Sequence, residues 1–382
     1  MDIVDLRNLK VYFYDQKDKR FIRAVEDVGF TMKEGSILGM VGESGCGKSV
    51  TALSMMGLLV SEPGLIGGEF FFHPKRDDRK NIIGPLLRGC TRATPYRQGQ
   101  LLNLFFGLDR FVSFRENPLT IIKDSEKWLR RYNRVMEHVR GKNISMIFQS
   151  PIQSLHPFLP VGIQLEKTVK RFNCGTDEAG VREKAANLLR SVQLREPETV
   201  FSQYPGSLSL GMAQRIVIAI ALASNPRLVI ADEPTSGLDT ANKYRIIELL
   251  ESVAAGKDTT LLLISHNIRI VEMIASHIMV MYAGSVVERG PRNEIIGRRK
   301  NVHPYTEALL SSLPDDTEIR KGQRPRVISG AVPDNKLIVQ GCPFLDRCPY
   351  ARGRIRRKCR SVRPPFFAVS ENHEVRCYLF EK

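Results

Sequence analysis

Gly42-Glu43-Ser44-Gly45-Cys46-Gly47-Lys48-Ser49 has the residue types and spacing of a phosphate-binding loop. Its glycines let consecutive backbone N–H groups curl around an anion, and the lysine can reach the β- and γ-phosphates. The Ser49 hydroxyl can ligate Mg²⁺, and a helix opening at Ser49-Val50 adds its positive N-terminal end. The chemistry implied is binding of a nucleoside triphosphate with Mg²⁺. A chance Gly-rich turn is the plain alternative, and the apolar run Ile37-Leu38-Gly39-Met40-Val41 before the loop argues against it.

Further groups decide what is done with the nucleotide. Leu228-Val229-Ile230-Ala231 ends in Asp232-Glu233, one carboxylate for the metal shell and a second able to orient an attacking water. Ser236-Gly237-Leu238-Asp239 follows after a short turn, Leu261 to Ser265 ends at His266, and Ile144 to Phe148 ends at Gln149. Alone, each is an ordinary polar residue after a strand. Together they form a hydrolase set.

Groups so spread along the chain meet only if the fold gathers strand ends. Short apolar runs of four to six residues, alternating with helical patterns, predict a parallel α/β sheet, whose ligands lie at the carboxyl ends of its strands. The loop, Gln149, Asp232, Glu233 and His266 are therefore expected at one edge.

The order of these motifs resembles the ATP-binding subunits of ABC transporters, over most of residues 1–312. The family's signature is matched by Leu208-Ser209-Leu210-Gly211-Met212, with Leu210 in place of a glycine, and Asn267 follows the histidine where most relatives have aspartate. His303-Pro304-Tyr305-Thr306, Ile328 to Pro333 and a cysteine-rich tail resemble, more narrowly, the oligopeptide, dipeptide and nickel importer branch. The resemblance implies a P-loop NTPase core of the ABC ATPase type, with a small antiparallel β subdomain, a helical signature subdomain over 150–222 and a tail over 313–382. It implies that Lys48 and Ser49 hold phosphate and Mg²⁺, with Asp232 and Gln149 at the metal, Glu233 activating water, His266 on the γ-phosphate and Gln149 signalling to the permease. Ser209, Gly211 and Asp239 belong to the composite site of a dimer, and Phe13, ahead of Tyr12 and Tyr14, is expected to stack on adenine. The implied partners are a second, related ATPase subunit, two membrane permeases and an extracytoplasmic solute-binding protein. The implied place is the cytoplasmic face of the inner membrane, peripherally attached. Peptide, nickel-chelate and antimicrobial-peptide transport stay open, as does a non-transport ABC ATPase.

The 382 residues are 42% apolar, enough for one large core and a small module, and no stretch has the length of a membrane span. The net charge of +16 is concentrated. Residues 74–142 hold 16 Lys/Arg against 7 Asp/Glu, and residues 320–360 hold 12 against 2. Neither patch carries a nucleic-acid-reading motif, so no nucleic-acid partner is expected; anionic lipid, an acidic partner or plain solvated surface are the readings. From Lys48 to Gln149 is 101 positions, longer than in most relatives, which places a basic insertion at about 71–123. Within it Leu101, Leu104, Phe105, Leu108, Phe111 and Val112 recur at helical spacing, predicting an amphipathic helix that docks a partner or packs on its own domain.

Cys342, Cys348, Cys359 and Cys377 crowd the tail. A short, loop-rich segment needs a staple, and zinc sites usually use close Cys-x2-Cys pairs, absent here. The resemblance implies a 4Fe-4S cluster on these four thiolates; zinc and a metal-free tail stay open.

Overall fold

The computed structural model describes residues 1–59, 61–75, 101–116, 119–172, 175–256, 259–297, 301–312, 328–336 and 340–381, with positions 78, 82, 86, 96 and 97 between them. Two long strands, β1 (Asp2–Asp15) and β2 (Arg20–Lys33), open the chain as an antiparallel pair. Then come β3 (Ile37–Val41), α1 (Lys48–Met56) and β4 (Pro63–Phe72), which pairs with β1. The short β5 (Tyr96–Arg97) and β6 (Leu101–Asn103) extend that antiparallel sheet, and β7 (Val112–Glu116) with β8 (Leu119–Lys123) forms a separate hairpin. A helix α2 (Ser125–Met136), capped by the Asp124 carboxylate on Lys127 N–H, leads into β9 (Ile144–Ile147).

Four helices follow: α3 (Val161–Phe172), α4 (Glu178–Ser191), α5 (Pro197–Phe201) and α6 (Leu210–Leu222). The chain then returns to the sheet through β10 (Leu228–Asp232), α7 (Thr240–Gly256), β11 (Thr260–Ser265), α8 (Ile268–Ile274), β12 (His277–Tyr282) and β13 (Ser285–Pro291). The last described elements are α9 (Arg292–Ile295), α10 (Pro304–Ser312), α11 (Gly353–Ser361), β14 (Phe367–Ala368) and β15 (Glu374–Val375).

The central strands run in the order β9, β10, β11, β3, β12 and are mutually parallel. Strands β3, β10 and β11 are buried at every residue, which is why they read as unbroken apolar runs instead of alternating patterns. Core side chains pack on both faces: Val41, Val229, Leu263 and Val271 on one, Met40, Ile230, Ile264 and Met279 on the other. Gly39 interrupts β3 because α8 lies directly on it; a Cβ there would be 1.9 Å from Val271 Cγ1.

The register sets the functional edge. Val41 lies opposite Ser265, Ile264 opposite Asp232, and Ala231 opposite Ile147. The residues just after these strands thus emerge from one side of the sheet, as expected of a parallel α/β core.

The amphipathic helix expected over residues 101–112 is not formed. Leu101–Asn103 is a strand paired to Phe71 and Phe72, followed by a turn and a 3₁₀ turn at Leu108–Arg110. Asn103 is the cause: its side-chain oxygen accepts from Phe70 N–H (3.2 Å) and Phe105 N–H (3.0 Å), which gives the backbone a non-helical alternative. Leu101, Leu104, Phe105 and Leu108 are buried in this protein's own core, Phe105 against Phe70 and Tyr132. The apolar stripe packs inward and offers no docking face. The boundary expected at 312/313 and most of residues 74–100 lie outside the described residues.

Candidate nucleotide-binding site

The phosphate loop begins where β3 ends. Ser44 and Gly45 form its exposed apex, whereas Gly42, Cys46, Gly47 and Lys48 are buried and Ser49 and Val50 half-buried. Gly47 caps α1 at φ +102°, and a Cβ there would stand 2.5 Å from the Ala24 carbonyl oxygen, so only glycine fits. Lys48 Nζ donates to the carbonyls of Gly42 (2.7 Å) and Glu43 (3.0 Å) and is 3.8 Å from Cys46 Sγ. Burial pushes the Cys46 thiol up from its usual range, leaving it a neutral filler beneath the loop.

Ser49, one residue into α1, donates its hydroxyl to Asp232 Oδ1 at 3.0 Å. Burial raises the Asp232 carboxyl; the Ser49 hydrogen bond opposes this, and the neighbouring Glu233 carboxylate adds to it. A hydroxyl and a carboxylate in contact at the mouth of a phosphate loop are hard oxygen donors that fit Mg²⁺. Gln149 is exposed two residues beyond β9, outside the hydrogen bonds that join Ser49 and Asp232.

Glu233 has φ +50°, a left-handed conformation unusual for a side chain of this size. Its N–H donates to Ile264 O and its carbonyl accepts from Ser236 N–H, both at 3.0 Å, so the backbone is held there from both sides. The carboxylate is turned to His266, whose Nδ1 lies 2.9 Å from Glu233 Oε2. That contact makes Nδ1 the protonated nitrogen and leaves Nε2 pointing away on a ring that is 61% exposed. Glu233 itself is only 8% exposed.

The other expected residues are placed elsewhere. Ser209 caps α6, accepting from Met212 N–H at 3.3 Å, and Leu210 is the first residue of that helix. A Cβ at Gly211 would meet the Asn242 side chain first, at 3.5 Å, and one at Gly237 would meet Leu210 Cδ2 at 3.1 Å. The signature segment therefore leans on the loop after β10. Asp239 caps α7, accepting from Asn242 N–H at 3.0 Å and Asn242 Nδ2 at 2.6 Å, which holds its carboxyl below the usual range. Asn267 caps α8 through Arg269 N–H. Of the three aromatics, Tyr12 is buried with its hydroxyl donating to Glu26 at 2.7 Å, Phe13 is half-buried and Tyr14 is exposed against the edge of Phe21. Two residues that local sequence did not reveal touch the loop: Tyr305 and Arg347 both bond Glu43. Their only sequence signals are the His303-Pro304-Tyr305-Thr306 motif and a position between two cysteines.

The four tail cysteines are all free. The Cys342 thiol donates to Cys359, which holds Cys359 down and Cys342 up, and Cys342 N–H donates to the Cys359 carbonyl at 2.7 Å. Among the described residues no group of three or more His, Cys, Asp or Glu side chains is arranged to hold a metal ion. The expected 4Fe-4S cluster, and its zinc alternative, therefore find no support in this geometry.

Comparison with known proteins bears on the whole chain. The sequence model of the family described as ABC transporter matches residues 25–86 and 101–236, and that of the oligopeptide/dipeptide transporter C-terminal region matches 287–354. The oligopeptide transport ATP-binding protein AppD of Bacillus subtilis (strain 168) is 34% identical over 382 residues, 100% of this chain and 97% of that protein. The dipeptide transport ATP-binding protein DppD of Escherichia coli (strain K12) is 32% identical over 378 residues, 99% of this chain and 97% of that protein. Among solved structures, the dimeric post-hydrolysis state of the ATP-binding cassette MJ0796 bound to ADP and Pi superposes with a TM-score of 0.54 at 22% identity. It covers 76% of this chain and 99% of that one, a likeness of fold.

Proposed function

Because the chain belongs to the ABC transporter family of ATP-binding subunits, in its oligopeptide and dipeptide branch, we propose that it hydrolyses ATP to drive uptake of peptides through membrane permeases. The observation that carries the ATPase half is the adjacency of two pairs at one sheet edge, Ser49 with Asp232 and Glu233 with His266. The peptide half is supported by full-length similarity to peptide-transport relatives and by the C-terminal region match.

In this reading the loop N–H groups and Lys48 bind the phosphates, and Ser49 and Asp232 hold Mg²⁺, which when bound neutralises charge on the β- and γ-phosphate oxygens. Glu233 takes the proton of the attacking water. His266 orients that carboxylate through Nδ1 and presents Nε2 to the γ-phosphate. Phe13 is the aromatic assigned to the adenine, and Gln149, exposed beyond β9, reports occupancy to the permease. Residues 1–312 form the ATP-binding domain, with 71–123 inserted and 150–222 helical, and 313–382 form the tail. The partners are a second, related ATPase subunit, two permeases and an extracytoplasmic solute-binding protein, on the cytoplasmic side of the inner membrane. Among the described residues no helix is long and apolar enough to cross a membrane.

Uptake of a labelled di- or oligopeptide by cells lacking this chain tests the proposal. Uptake returns with the wild-type chain and not with Glu233→Gln; peptide uptake indifferent to the chain's presence would sink the assignment.

Ser209 and Gly211 complete the site built on the partner's phosphate loop, where Leu210 replaces a glycine at a close approach. Its side chain leans on Gly237 in the loop that also carries Asp239. Leu210→Gly is expected to raise the ATPase rate of the assembled transporter about fivefold, the rate equivalent of about 1 kcal/mol. An unchanged rate would show that the leucine is accommodated without cost to catalysis.

A further inference from the structure

Glu43, the second residue of the phosphate loop, has every polar group engaged. Its N–H donates to the Tyr305 hydroxyl at 2.8 Å, and its carbonyl accepts from Lys48 Nζ at 3.0 Å. Its carboxylate accepts two parallel hydrogen bonds from Arg347, Nη1 to Oε2 at 2.8 Å and Nη2 to Oε1 at 3.0 Å. Two of these three partners come from the far side of the sequence, 262 and 304 positions away.

Arg347 is itself fixed. Its Nε donates to Ser329 O at 3.0 Å, Nη1 also donates to the Tyr282 hydroxyl at 3.1 Å, and the guanidinium lies over the rings of Tyr282 and Phe344. Tyr282, Tyr305 and Phe344 pack edge to face and tilted with centroids 4.6–5.5 Å apart, so the groups that touch Glu43 stand on one aromatic block. The Arg347 side chain is 6% exposed. A two-pronged ion pair with that burial differs from an exposed one, which contributes little and is screened by salt. The same Glu43 whose carboxylate is held this way supplies a carbonyl to Lys48, so displacing the carboxylate displaces an acceptor that aims the ammonium.

We propose that Arg347 is a positioning residue of the nucleotide site: acting through Glu43, it fixes the start of the phosphate loop and the orientation of Lys48. The segment between Cys342 and Cys348 thereby sets nucleotide affinity from outside the ATP-binding elements. The proposal rests on the reading of Gly42–Ser49 as the ATP phosphate loop.

The test uses the purified full chain, a fluorescent ATP analogue titrated in the presence of Mg²⁺, and thermal unfolding without nucleotide. Arg347→Met is expected to weaken nucleotide binding about tenfold, the scale of a site-to-site coupling. Arg347→Lys, which keeps the charge and loses the fork, is expected to recover part of that affinity. Glu43→Gln should weaken binding to a similar extent, and Arg347→Met added to it should cost little more, because both changes break one contact. A folded Arg347→Met chain with wild-type affinity would overturn the proposal. So would losses that multiply in the double variant, since Arg347 would then act independently of Glu43. Should Arg347→Met fail to fold, Arg347→Lys and Glu43→Gln complete the same cycle with the same two deciding outcomes. Lys48→Ala, measured alongside, separates the two ideas. If it weakens binding while the Arg347 variants leave affinity intact, only the proposal falls; if the wild-type chain does not bind the analogue, the loop assignment falls and the proposal with it.

Discussion

Glu233→Gln is expected to lower ATP turnover by about 10²-fold or more while leaving nucleotide affinity near the wild-type value, the usual consequence of removing a general base. The amide is nearly isosteric and can still accept from His266 Nδ1, so the left-handed backbone at Glu233 and its bonds to Ile264 and Ser236 are undisturbed. What is lost is the acceptor for the water's proton. Neither Ser49 nor Asp232 replaces it, because the hydroxyl and carboxylate are already committed to each other. Steady-state ATPase measured on the assembled transporter, beside a nucleotide titration of the same variant, decides the matter. Turnover unchanged within a factor of two would remove Glu233 from the reaction.

Lys48→Ala is expected to act on binding itself. The ammonium is buried and held by two loop carbonyls, and under the proposed function its charge is the one that a γ-phosphate would meet inside the loop. Charge-assisted hydrogen bonds of this type contribute about 1.5–3 kcal/mol, so affinity for ATP should fall roughly 10- to 150-fold. Alanine is a strong helix former at this first position of α1, so unfolding without nucleotide should shift little while stabilisation by added ATP largely disappears. An ATP-induced shift in Tm equal to that of the wild-type chain would contradict the loop's assigned role.

The parts of this site that were legible in the sequence share a physical property: each is set by a few adjacent residues at the end of a buried strand. The Gly42–Ser49 loop, Asp232, Glu233 and His266 all stand at the ends of apolar runs buried on both faces, which is what brings them to one edge of the sheet. Periodicity misled where a single side chain competes with the helix. Residues 101–112 carry apolar groups three and four apart, yet Asn103 bonds the backbone of Phe70 and Phe105 and the chain runs as strand and turn. The cysteine count pointed to a metal site that the tail's geometry does not support; Cys342 lies against Cys359, and spacing carries no information on whether thiols meet a metal or one another. Arg347 and Tyr305 were illegible for a different reason: their partner Glu43 lies 304 and 262 positions away, and no local pattern encodes a contact made by topology.

The late return of the tail onto the first strands has a consequence for the birth of the molecule. Arg376 pairs with Asp27 across 349 positions, and Glu374-Val375 pairs with Arg289 and Glu288 on β13. At about 5–20 residues per second, Arg347 is synthesised roughly 15–60 s after Glu43. At the same speed Glu374 follows Arg289 by 85 positions, roughly 4–17 s, and until then β13 lacks its cover at Glu288 and Arg289, the kind of edge that recruits strands from neighbouring chains. Glu288 is wholly buried in the finished fold, where its carboxylate accepts from His303 N–H and meets His373, partners that follow it by 15 and 85 positions. The speed of translation past residue 290 therefore sets how long that edge waits for its last strand.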